Sequence, residues 1–195
     1  MQNTKWDTPT RLLHTGLVIT ITVQLMVSLV MQAPGARAHS ALEVITYQVH
    51  RYVGLAALAV VLVHWVWSFA TRGRATVRNL FPTTSNESTR VINEVRGIFA
   101  KQRPDSETPG GITGLVHGLG LLASTAIALT GAVLFAWWPD VGKPDQLTHT
   151  LSDVHSALSN LVWAYWIVHG GIALWHHYLG HDTLRAMFWR REKSL

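Results

Sequence analysis

The sequence predicts an all-α protein, a transmembrane four-helix bundle, and three observations carry that prediction. Four apolar blocks, residues 12–31, 52–70, 112–138 and 158 to about 178, contain no Asp, Glu, Lys or Arg. Each is about the ~20 residues that a helix needs to cross a hydrocarbon core about 30 Å thick. Thirteen of the sixteen Lys and Arg fall in the N-terminal tail, residues 71–111 and the C-terminal tail, which leaves only Arg37, Arg51 and Lys143 for the other two connections. His50 and His64 lie fourteen residues apart, and His155 and His169 repeat that interval.

Composition narrows the function classes. The chain is 48% apolar and 14% charged over 195 residues, which suits one integral membrane domain, 1–195. With no cysteine, disulfides, thiolate-bound iron–sulfur clusters and covalent haem attachment through Cys-x-x-Cys-His are excluded. The net charge of +5 is placed by loop, not by patch. It reads as topology under the positive-inside rule, with both termini and the 71–111 loop cytoplasmic. Nucleic acid is not an expected partner; membrane lipid is.

Taken in order, the first helix, about 12–31, opens at Pro9 with Asp7 or Thr8 as its cap. It is too long for a signal h-region, and Val27-Ser28-Leu29 is a poor cleavage site, so it reads as a mature helix. Pro34, Gly35 and Arg37 mark an external loop before the second helix, about 50–70. The middle loop holds Val91, Ile92, Val95, Ile98 and Phe99 on one stripe, with Arg90, Glu94, Arg96 and Lys101 elsewhere. That pattern is an amphipathic helix, lying along the cytoplasmic interface or packed on the bundle. Pro109-Gly110-Gly111 leads into the third helix, about 112–138. A mildly acidic external connection with Asp140, Asp145 and Asp153 precedes the fourth, about 154–178. Trp65, Trp67, Trp137, Trp138 and Trp175 fit interfacial belts, while Trp163 and Trp166 lie deeper, where lipid, helix or a haem edge can take them.

The histidine spacing carries the chemistry. Fourteen residues fall within about 40° of four whole turns and rise about 21 Å. Each pair therefore shares one helix face, with one imidazole near each edge of the hydrocarbon. That suits two b-type haems stacked across the membrane and held by facing helices. By depth, His50 and His155 pair for an outer haem, and His169 takes either His14 or His64 for an inner one. Ordinary structural histidines, and a non-haem metal-binding or transport bundle, also satisfy the spacing. Gly54, Gly16, Gly170 and Gly171 lie near the histidines, where a missing Cβ admits a close approach.

The stretch Trp6-Asp7-Thr8-Pro9-Thr10-Arg11-Leu12-Leu13-His14 resembles the opening of bacterial di-haem cytochromes b of the cytochrome b561 and nickel–iron hydrogenase cytochrome b type. Val49-His50-Arg51-Tyr52-Val53-Gly54 is similar to their second-helix ligand region. Asp153-Val154-His155, His169 and His176-His177-Tyr178 are similar to their fourth helix, with Thr130-Gly131 on the third. The resemblance implies a haem-iron ligand set of His14, His50, His155 and His169. His64, at a position often arginine in that family, is left near an inner propionate. His117 is implied as a propionate or quinone contact, or is a capped interfacial residue. His176, His177 and His181 form a cytoplasmic cluster, and His39 and His149 sit in external loops.

For function the resemblance implies an inner-membrane cytochrome that passes electrons between quinone and a periplasmic redox partner such as a c-type cytochrome or dehydrogenase. An alternative follows from short members of the family that are superoxide oxidases reducing quinone. Superoxide is an anion, so the acidic outer loops favour the first reading.

Overall fold

A computed structural model describes residues 6–32, 40–72, 75–100, 110–139, 143–180 and 183–188. Its elements, in order, are α1 (Thr8–Ser28), α2 (Ala41–Ala70), α3 (Val77–Leu80), α4 (Ser85–Phe99), α5 (Gly111–Trp137), α6 (Gln146–Tyr178) and α7 (Thr183–Phe188). Four of them, α1, α2, α5 and α6, are long and apolar enough to cross a membrane. His39 and His181 lie outside the described residues, as do Arg37 and Asp140.

Helix ends are set by caps, and two of the helices outrun their apolar blocks. Asp7 caps α1, its carboxylate accepting from the Thr10 amide at 2.8 Å, with a proline in the first turn. Ser40 and Glu43 close a capping box that starts α2 at Ala41, well before the expected position near 50. Asp145 starts α6 at Gln146 in place of about 154, through the Thr148 amide at 2.8 Å. Hydrogen bonds from Thr148 hold the exposed Asp145 carboxyl below its ordinary range. At 1.5 Å per residue, the 30 residues of α2 and 33 of α6 run about 45 and 50 Å, past the hydrocarbon at one end. His149 therefore stands in the first turn of α6, facing Asp153 at 3.3 Å, and not in a loop.

The packing is that of a membrane bundle. α1 packs on α2, α2 on α5, and α5 on α6, while α1 and α6 meet mainly through side chains. Small and polar residues fill the helix contacts: Ser68, Thr10, Thr148, Ser124 and His64 are buried. Large apolar residues such as Val66, Phe69 and Leu12 face outward, 68–73% exposed for those three... a distribution that only lipid makes favourable.

Trp65, Trp67 and Trp166 pin helices together. Their indole N–H groups donate to Thr125 (2.9 Å), Thr10 (2.9 Å) and Thr22 (3.0 Å). Trp65 and Trp67, expected near the interface, each turn the N–H to a neighbouring helix. Trp166 joins α6 to α1.

The segment between the second and third spans docks on the bundle. Leu80 of α3 joins Val61 and Leu121 in a small core with Leu17, Trp65 and Phe81 around it. A Cβ on Gly118 of α5 would sit 2.5 Å from the Leu80 carbonyl oxygen, so only glycine admits α3 there. α4 matches the amphipathic stretch, but its polar side is the anchored one. Glu94 accepts from the Ile112 amide at 2.7 Å and from Arg90 Nε at 2.8 Å, at the start of α5. Ile92, Val95, Ile98 and Phe99 are left exposed.

Candidate haem sites

The bundle brings the expected histidines together in two places, one at each end. His14 of α1 faces His169 of α6 with ring centres 6.3 Å apart and planes at 56°. His50 of α2 faces His155 of α6 with ring centres 6.1 Å apart and planes at 84°. Two imidazole nitrogens sharing one metal at about 2 Å each, with ring centres about 1.2 Å behind them, would put those centres at most roughly 6.4 Å apart. Both separations are close to that figure.

A threonine hydroxyl prepares one of these rings. Thr130 Oγ1 lies 3.0 Å from the Ala126 and Ile127 carbonyls and 2.9 Å from His155 Nδ1. The hydroxyl donates to a carbonyl and accepts from the ring, so the proton sits on Nδ1 and Nε2 keeps its lone pair. That is the tautomer a metal requires. His14 Nδ1 and His50 Nδ1, by contrast, are buried without a partner.

Glycine shapes the space beside two of the histidines. A Cβ on Gly131 would lie 3.1 Å from His155 Cε1, and one on Gly54 would lie 2.7 Å from the Gln24 amide nitrogen, beside His50. A Cβ on Gly16 would lie 3.3 Å from Val60, while Gly170 and Gly171 face open space, with no protein atom within 4 Å.

The two ends differ in what surrounds the rings. Between His50 and His155 opens a cavity of about 170 Å³, lined also by Gln24, Arg51, Phe135 and Trp138. At the other end Tyr165 stacks on His169, ring centres 5.1 Å apart at 8°, and His117 meets it edge-on at 5.2 Å. Phe188 of α7 closes on His14 at 5.8 Å, and Arg11 Nε holds the Met187 carbonyl at 3.0 Å.

His64 and His117 take other places. His64 is buried with Nδ1 3.2 Å from the Ser68 hydroxyl, and no ring contact among the described residues joins it to another histidine. His117 donates from Nδ1 to the Thr113 carbonyl at 2.7 Å, which leaves its Nε2 free beside His169. His177 is exposed at the end of α6.

Sequence reasoning passed over Gln24, Tyr165 and Phe188. Gln24 had a signal, since an amide inside an apolar span is costly and seldom idle. Tyr165 and Phe188 had none, because only the fold sets them against His169 and His14.

The residues present fit b-type haem: paired imidazoles at the right separation, His155 held in the ligating tautomer, and a cavity with apolar walls. Among the described residues, no group of three or more His, Asp or Glu is gathered as a bare metal site would need. No curated protein and no solved structure matches the chain. The family profile described as prokaryotic cytochrome b561 matches residues 5–190, nearly the whole length. The chain belongs to the prokaryotic cytochrome b561 family: it is a multi-pass membrane cytochrome of the b type, made for electron transfer.

Proposed function

We propose that the chain carries two b haems and passes electrons between the quinone pool of the bacterial inner membrane and a redox protein in the periplasm. His14 and His169 hold the inner haem, and His50 and His155 the outer one. Both termini are cytoplasmic. The observation that supports this reading is the pair of ring separations, 6.3 and 6.1 Å, between histidines of α1, α2 and α6 in a chain of the prokaryotic cytochrome b561 family.

When bound, haem supplies one-electron chemistry at its iron; the protein supplies ligands, spacing and dielectric. His155 and His169 stand fourteen residues apart on one helix, which separates the two centres by about 21 Å along it. Haem held by His14 with His169, or by His50 with His155, would supply outer-sphere electron transfer rather than oxygen binding. Thr130 holds His155 in the ligating tautomer, and Tyr165 and His117 fix the plane of His169. His117, with a free Nε2 beside His169, is placed to meet a propionate or quinone. The basic segments 71–111 and 189–195 orient the chain, and the acidic outer connection suits a basic c-type cytochrome.

A pyridine-haem assay on the purified protein should give two haems b per chain, and one or none would overturn the reading. His14→Ala, His50→Ala, His155→Ala and His169→Ala should each remove or convert one low-spin haem and spare the other. His64→Ala should leave both low-spin. Loss of the inner haem in His64→Ala, with retention in His14→Ala, would make His64 the ligand. Stopped-flow absorbance then tests the partner: reduced quinone should reduce both haems, with fast reoxidation by a c-type cytochrome. Fast haem reduction by superoxide, lost at high salt, would replace this reading with a superoxide:quinone oxidoreductase.

A further inference from the structure

One wall of the cavity between His50 and His155 offers hydrogen-bond donors with nothing to donate to. Arg51 Nε and Trp138 Nε1 are both buried without a partner. The guanidinium is held from its other sides. Its carbon lies 4.5 Å above the centre of the Phe135 ring and 5.8 Å from that of Tyr47, and Nη2 reaches the Phe135 carbonyl at 3.4 Å. These contacts fix the group in place and leave its Nε edge open.

Among the described residues, no ion pair joins Arg51 to a carboxylate: Glu43 serves the cap of α2, and Asp153 faces His149. A guanidinium partly removed from water and unmatched is unfavourable, as is a buried donor left unpaired. An anion satisfies both. A planar guanidinium edge and a single indole N–H match the two oxygens of a carboxylate. The remaining lining, including Leu55, Ile127, Leu134 and Val162, is apolar, so the carboxylate has to arrive on an apolar body.

We propose that Arg51 and Trp138 form a carboxylate-binding pair in this cavity, and that the carboxylate they take is a propionate of the haem between His50 and His155. The proposal rests on the outer-haem reading above and adds to it the residues that orient the macrocycle and offset its charge. A cation against a propionate favours the reduced iron, so Arg51 sets the outer potential from below the ligand level.

The test is a redox titration of the purified holoprotein, followed by absorbance in a buffer free of carboxylates. His50→Ala first identifies the outer haem as the one lost. Arg51→Gln should then shift the reduced-to-oxidised ratio of that haem about tenfold toward oxidised at a fixed potential, about 59 mV for one electron. The inner haem should not move. Arg51→Lys should restore most of the shift, and Trp138→Phe should give a smaller one of the same sign. Trp138→Phe carries the test if Arg51→Gln does not assemble.

An outer potential unchanged in both variants, or two potentials falling together, overturns the proposal. A wild-type outer potential that moves with added acetate, with that response lost in Arg51→Gln, assigns the pair to a free carboxylate and overturns the propionate. If His50→Ala leaves both haems in place, the outer-haem reading itself has failed, before any Arg51 variant is read, and the propionate falls with it.

Discussion

The His14–His169 and His50–His155 pairs have almost the same ring separation, 6.3 against 6.1 Å, in opposite surroundings. The first is walled by rings: Tyr165 and His117 on His169, Phe188 on His14, with α7 tied across the end through Arg11 and Met187. The second opens on a cavity whose polar groups, Gln24 Oε1, Arg51 Nε and Trp138 Nε1, have no partners. A ring-packed ligand is fixed by shape and tolerates little added volume. A ligand beside a cavity is fixed by hydrogen bonds and responds to their loss. The two ends should therefore break in different ways.

The largest effect is expected at the packed end. A Cβ on Gly120 would overlap the Tyr165 ring, which lies flat on His169. Gly120→Val should displace Tyr165 and strip most of the inner haem, read as a haem-to-protein ratio falling from two toward one. Gly171→Ala, exposed and about 200° round α6 from His169, is the control and should leave the ratio unchanged. Equal losses in both variants would mean that helix stability, not ring packing, governs that end.

Next comes the hydrogen-bonded end. Thr130→Val keeps the shape of the side chain and removes the acceptor for His155 Nδ1. Outer-haem affinity should fall about 10- to 100-fold, the usual cost of a lost second-shell partner. Competition with a haem scavenger measures it, and the inner haem should be retained as in the wild type. A smaller, global effect is expected from Trp67→Phe, which removes the bond to Thr10 across α1 and α2. It should cost about 1 kcal/mol, seen as a lower thermal midpoint without a change in either haem.

The same contrast explains what the sequence could tell. The four spans were legible because charge is excluded from each block. The histidines were legible because a fourteen-residue interval fixes depth whatever the helix packing. Depth left His14 and His64 as rivals, and only the family resemblance separated them. In the structure His64 turns to Ser68 while His14 meets His169. Helix starts at Ala41 and Gln146 were not read, because the Ser40–Glu43 and Asp145–Thr148 caps lie outside the apolar blocks. Arg51 counted as an outer charge and as part of the second-helix ligand region, since nothing local reveals that Phe135 from another helix would meet it. In α4 the apolar stripe was visible, but not that Glu94 would reach the Ile112 amide and turn the polar side inward.

The smallest effect concerns the entry to α4, at Glu87. Backbone and side-chain hydrogen bonds from Thr83 and Thr84 hold its exposed carboxyl below the ordinary range near 4.5. A carboxyl whose folded value is depressed stabilises the folded form above its unfolded value, and that contribution is lost as pH falls through the folded one. The capping box should therefore be intact at neutral pH and weaken only below about pH 4.5. Hydrogen exchange at the Thr83 and Thr84 amides, which donate to that carboxylate, reads it directly once corrected for the intrinsic rate at each pH. Protection in the wild type should decline across that acidic window, while Glu87→Gln should be less protected at neutral pH and flat through the same range. Protection that falls in parallel in both proteins would place the titrating group elsewhere, with Glu94 at the Ile112 amide the next carboxylate to replace.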